Sequence, residues 1–162
     1  MLNAPRILRA LTDGRVEFVV VGAMAMVTHG SAHVTYDLDL CYARTPENMA
    51  RLAEALATLH PSLRSAPPGL PFHFDAATIA AGLNFALCTA SGPLDLFAEI
   101  AGVGAYDEVL ARSGVHEIYG LPTRVLSLDG LIAAKQALST PKDRIHLLEL
   151  LELKKILDAP QP

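Results

Sequence analysis

The chain has 162 residues, 51% of them hydrophobic and 19% charged, with a net charge of −4. That length suits one core, and the apolar content excludes disordered and fibrous classes. The acidic balance argues against a broad nucleic-acid-binding face, and two cysteines form neither a disulfide framework nor a zinc pattern.

The N-terminus shows no basic region followed by an apolar one, and no apolar run is long enough to span a bilayer. A cytoplasmic protein without a membrane partner is the expectation. The Ala- and Leu-rich composition favours helices and suits a homo-oligomer interface.

In chain order, residues 4–12 read as a short helix with Pro5 in its first turn and Asp13-Gly14 as its stop. Val16 to Val21 is β-branched and aromatic, and predicts a buried strand. Gly22 ends it, and residues 23–29 read as a helical segment closed by Gly30. A second strand is expected over residues 34–42. Thr45-Pro46-Glu47 combines a cap, a first-turn proline and an acid at the positive helix end, so a helix is predicted to about His60.

Residues 61–72 carry four prolines and read as a loop skirting the sheet edge or the site. Leu83–Thr89 and Leu94–Ile100 are expected as strands joined by a turn at residues 90–93. A short helix at 104–112, strands at 115–119 and 123–126, a helix capped by Ser127 and a last helix capped by Thr140 complete the order. The tail 158–162 is expected to fray. This predicts one domain of α/β (α+β) class with a mixed β-sheet and flanking helices. Its core spans about 5–126, and a closing C-terminal helical part spans about 127–158.

Two aspartates, Asp37 and Asp39, interrupt the apolar second strand. On a strand, positions i and i+2 share a face roughly 6.6 Å apart. Two carboxylates so placed repel unless a cation lies between them, and hard oxygen ligands suit Mg²⁺ or Mn²⁺. Asp95, in an apolar strand after the hairpin turn, offers a third acid, with Glu99 as its rival. Three carboxylates on neighbouring strands fit a two-metal site for in-line phosphoryl chemistry. The strand–Gly22–helix junction offers backbone N–H groups to a phosphate. Plainer readings stand beside these: charged residues on an edge strand for Asp37 and Asp39, a solvated hairpin residue for Asp95, a simple turn at Gly22. Asp143, three residues after Thr140, reads as a capping partner rather than a catalytic acid.

The succession of Gly22, Asp37-Leu-Asp39 and a later strand aspartate resembles the nucleotidyltransferase superfamily with the DNA-polymerase-β-like fold. Residues 19–40 and 118–150 resemble in particular its small bacterial branch related to AbiEii toxins. The resemblance covers about residues 5–157. It implies that Asp37, Asp39 and Asp95 are catalytic and hold the metal, and that Gly22 and Ala23 cradle a nucleoside triphosphate. It further implies that Lys135 and Lys142 neutralise phosphate charge.

The implied reaction moves a nucleoside monophosphate to a hydroxyl of a tRNA, a protein or a small molecule, in the setting of a toxin with a cognate antitoxin. Ala23, His33 and Thr140 depart from the family's usual hydroxyl or glycine and two arginines. These departures support an alternative, a catalytically weak relative that binds a nucleotide or a partner protein.

Overall fold

The computed structural model describes residues 1–67 and 69–160; the end of the tail expected to fray lies outside them. The elements in chain order are α1 (Ala4–Asp13), β1 (Phe18–Val21), α2 (Gly22–Thr28), β2 (Leu38–Tyr42), α3 (Pro46–Ala57), β3 (Ser62–Leu63), α4 (Ala76–Ala81) and β4 (Phe85–Thr89). They continue with β5 (Gly92–Phe97), β6 (Glu99–Ile100), β7 (Gly104–Ala105), α5 (Tyr106–Ala111), β8 (Ser113–Ile118), β9 (Leu121–Leu126), α6 (Leu128–Gln136) and α7 (Pro141–Asp158).

Seven strands form one sheet in the order β3-β4-β5-β2-β1-β9-β8, and β6 and β7 form a separate two-stranded sheet. The large sheet is mixed: β2 runs parallel to β5 and β1 parallel to β9, while the remaining neighbours are antiparallel. Strands β1 and β2 are nearly all apolar and buried, as strands with neighbours on both sides require.

Helices α3, α6 and α7 start where the sequence places caps. Thr45, Ser127 and Thr140 each accept a backbone N–H three residues on, and α1, α3 and α7 each carry proline in the first turn. The core runs from Ile7, Leu8 and Leu11 of α1 through the sheet to Leu52 and Leu56 of α3, and takes in Leu131 of α6 and Leu150 of α7. Buried Asn48 ties α3 to the sheet: its amide nitrogen donates to the carbonyls of Glu17 and Ala43, and its Oδ1 accepts from Glu17 N.

Four features differ from the sequence reading. Strand β2 begins at Leu38, not at residue 34. Thr35 Oγ1 donates to the Asp37 carbonyl at 2.7 Å, which bends the chain ahead of the ladder. The proline-rich loop contains an edge strand, β3, paired with β4; two residues are too short for any periodic signal. Helix α4 was not anticipated, although Asp75 caps it. The expected strand 94–100 breaks at Ala98, whose N–H is taken by Asn84 Oδ1, so Glu99 and Ile100 pair with β7 instead.

Candidate active site

Strand register assembles the acidic wall of a cavity of about 510 Å³. Asp39 stands opposite Asp95 across the parallel β2–β5 pair and opposite Val21 across the antiparallel β1–β2 pair. Asp37 joins them from the bend just before β2, so it does not share the strand geometry first expected for it. Carboxylate oxygens of Asp37, Asp39 and Asp95 all lie within 4.8 Å of one another, and Glu99 is not part of that cluster. The edge-strand reading is overturned: β2 is the middle strand of seven.

Gly22 is more than a turn residue. Its φ is +61°, and a Cβ added there would stand 2.0 Å from Asp39 Oδ2. A side chain at this position would collide with the carboxylate and strain the backbone. Val21, Gly22 and Ala23 therefore bring the start of α2 directly against Asp39, on the cavity wall.

Burial pushes the Asp39 carboxyl up to about 7, and the charges of Asp37 and Asp95 push in the same direction, while Lys135 and Lys142 pull against them. Burial also raises Asp95, against the opposing hydrogen bonds and charge of Arg64. A cluster of this kind is short of positive charge. All-carboxylate hard oxygens around such a deficit fit Mg²⁺ or Mn²⁺.

Sequence reasoning missed Arg64. It follows β3, and its backbone N–H extends that strand's pairing to Ala86 O at 2.9 Å. Its side chain passes over β4 and forks onto Asp95, with Nη2 to Oδ1 at 2.6 Å and Nη1 to Oδ2 at 3.3 Å; Nη2 also donates to Leu87 O at 3.2 Å. The loop was expected to skirt the sheet edge or the site; Arg64 extends the pairing of the edge strand and also reaches Asp95. The only available signal was an arginine inside a proline-rich segment, which does not say what it reaches.

The basic wall comes from α6 and α7. Lys135 is 15% exposed, and its Nζ lies 2.8 Å from Asp143 Oδ1. Asp143 keeps the capping role expected for it, accepting from Thr140 Oγ1 and donating its N–H to the same oxygen. Burial raises the Asp143 carboxyl, but the hydrogen bonds from Lys135 and Thr140 outweigh that and hold it below its usual range. Lys142 lines the cavity, and no carboxylate among the described residues pairs with it.

His146, also on α7, is 4% exposed, and its ring stands edge-on to His33 with centroids 4.8 Å apart. Burial, followed by the charge of Lys135, lowers the His146 pKa and favours the neutral ring. Ser31 Oγ donates to Glu149 and accepts from His33 N–H, so the segment leading to Asp37 is fastened to α7.

No protein-family model matches the sequence, and no curated protein does. Solved structures do match. A provisionally assigned nucleotidyltransferase of Thermotoga maritima aligns with a TM-score of 0.56 over 98% of this chain and 97% of that one, at 16% identity. The antibiotic-resistance factor ANT(2'')-Ia aligns in its solution structure with a TM-score of 0.58 over 94% of this chain and 81% of that one, at 15% identity. Its crystal structure with adenylyl-2''-tobramycin aligns with a TM-score of 0.52 over 94% and 95% of the two chains, at 13% identity.

The chain has a nucleotidyltransferase fold. Within that fold the acid cluster sits at the start of β2 and midway along β5, and the two lysines face it from the C-terminal helices. Among the described residues, no helix is long and apolar enough to cross a membrane.

Proposed function

We propose that the protein is a metal-dependent nucleotidyltransferase that moves a nucleoside monophosphate from a nucleoside triphosphate to a hydroxyl acceptor. The observation that carries this is the convergence of Asp37, Asp39 and Asp95 on one cavity wall, against Gly22 and facing Lys135 and Lys142. Asp37, Asp39 and Asp95 are the residues that would hold Mg²⁺ or Mn²⁺; bound there, the ion neutralises phosphate charge and polarises the reacting oxygens.

Gly22 lets the backbone at the start of α2 lie directly against Asp39, and with Ala23, which projects only a methyl, it offers main-chain N–H groups to phosphate oxygens beside that carboxylate. Lys142 and Lys135 supply positive charge for the leaving pyrophosphate. The acceptor oxygen attacks the α-phosphorus, the bond to the β-phosphate bridge breaks, and Asp95 takes the hydroxyl proton. The acceptor classes proposed are a tRNA end, a protein hydroxyl and a small molecule. Toxin action paired with a cognate antitoxin in the cytoplasm, and assembly with copies of itself, belong to the same proposal.

The test is incubation with each labelled triphosphate, Mg²⁺ and total cell extract. Label should enter RNA, protein or a small molecule, and Asp39→Asn should lower the transfer by roughly 10³-fold. A second reading is a nucleotide- or protein-binding regulatory module without turnover. It draws support from Arg64 and Asp143, which occupy Asp95 and Lys135. Thermal stabilisation by triphosphate that needs no Mg²⁺ and survives Asp39→Asn, with no label transfer, would favour the module.

A further inference from the structure

The geometry points to Arg64 as an internal counter-cation of the carboxylate cluster: its guanidinium holds Asp95, and a divalent ion must compete with it for the Asp95 oxygens. This rests on the metal-site reading above and adds to it a residue that sets how tightly the ion binds.

Arg64 contacts both Asp95 oxygens, at 2.6 and 3.3 Å. It is the one cation in ion-pair contact with any of the three acids among the described residues. Lys135, the nearest alternative, is engaged by Asp143. Each carboxylate oxygen offers about two lone pairs, and a planar fork that uses one on each leaves Asp95 only partly available to another cation.

A second observation sets Arg64 apart from an ordinary structural ion pair. Its Nε is buried and has no hydrogen-bond partner among the described residues. The large majority of buried side-chain donors are hydrogen-bonded, so an orphan Nε calls for a reason. Here the two terminal nitrogens are committed to Asp95 and Leu87 O at the expense of Nε, so the side chain sits where the acid cluster draws it. Its place at the end of a two-residue edge strand gives it freedom to withdraw without disturbing the central strands. Arg64 is thus a positioning residue: it limits repulsion between Asp95 and its neighbours until an ion arrives, and it weakens that ion's hold on Asp95.

The test is a Mn²⁺ titration of the full chain without nucleotide, followed by loss of the free-Mn²⁺ paramagnetic resonance signal. Arg64→Met should bind Mn²⁺ at least about five-fold more tightly than wild type. Arg64→Lys, which keeps the charge but not the fork, should show a smaller gain. Adding Asp95→Asn to Arg64→Met should remove the gain, since the competition is for that carboxylate. A purely structural ion pair would give the opposite sign, with the site loosened and Mn²⁺ bound equally or less well.

Equal or weaker binding by both Arg64 variants overturns the proposal, and so does a gain that survives Asp95→Asn. Should Arg64→Met fail to fold, Arg64→Lys alone decides by the same criterion. Asp37→Asn separates this proposal from the reading beneath it. If wild type binds Mn²⁺, Asp37→Asn loses it and the Arg64 variants show no gain, the carboxylate site stands and only the counter-cation role fails. If neither wild type nor the Arg64 variants bind Mn²⁺, both fail.

Discussion

The acidic wall of the cavity is built by strand register, and its basic wall by helix caps and one ion pair. Asp39 and Asp95 face each other because β2 and β5 pair residue for residue over four positions, and shifting either strand would unpack apolar neighbours on both faces. Lys135 and Lys142 face the acids because Thr140 starts α7 and Lys135 is latched to Asp143. The first arrangement resists change and holds Asp39 in no ion pair found among the described residues; in the second Lys135 is satisfied by Asp143 while Lys142 is in no such pair, and each can be altered one side chain at a time. Mutations in the two walls should therefore fail in different ways.

The largest effect is expected at Asp39. Asp39→Asn should lower label transfer by roughly 10³-fold, because it removes the carboxylate central to the cluster. The metal-free fold should not suffer with it, since the substitution deletes a buried charge that no cation pairs with among the described residues. A Tm for Asp39→Asn below that of wild type at pH 8 without metal would break this contrast.

The same residue fixes a pH dependence. Folding raises the Asp39 carboxyl from 3.8 to about 7. Its contribution to stability is complete below pH 3.8 and is lost as the pH rises through 7. Melting curves from pH 5 to 8 without metal should show that loss in wild type and not in Asp39→Asn. The difference between the two proteins isolates Asp39 from His146, whose lowered pKa acts with the opposite sign over part of the same range.

Gly22→Ala comes next and tests how tightly the acidic wall is held against the start of α2. The added Cβ would overlap Asp39 Oδ2 and demand a left-handed backbone. The cost is expected at about 2–3 kcal/mol, or roughly 5–10 °C in Tm, together with loss of metal binding. Unchanged Mn²⁺ affinity in a folded Gly22→Ala would show that Asp39 can move without consequence.

The basic wall should respond more mildly. Lys135→Met leaves Asp143 buried with only Thr140 as partner, and should destabilise by about 2 kcal/mol in a melt at neutral pH. Lys142→Ala breaks no ion pair found among the described residues. It should stay within about 0.5 kcal/mol of wild type while weakening triphosphate binding several-fold in a titration with Mg²⁺. If the two lysines behaved alike, the latch between α6 and α7 would be unimportant.

Much of the scaffold was legible because its signals are local. Thr45-Pro46-Glu47, Ser127 and Thr140-Pro141 mark helix starts by satisfying backbone donors a few residues away, and those starts stand where the sequence put them. Asp37, Asp39 and Asp95 attracted attention because each interrupts an apolar run. Element lengths were less legible. The strand at Leu38 begins late because of one threonine hydroxyl, and the strand after Asp95 stops at Ala98 because Asn84 reaches over from another segment.

By itself the sequence determined the mixed α/β class, the capped helices and the identity of the acids, since periodicity, capping and charge in apolar runs are properties of neighbours along the chain. Only the tertiary structure decided that β2 lies at the centre of the sheet, that Gly22 presses on Asp39, and that Arg64 rather than a lysine holds Asp95. Those facts depend on which strands pair and in what register, and pairing is settled by packing between residues distant in sequence.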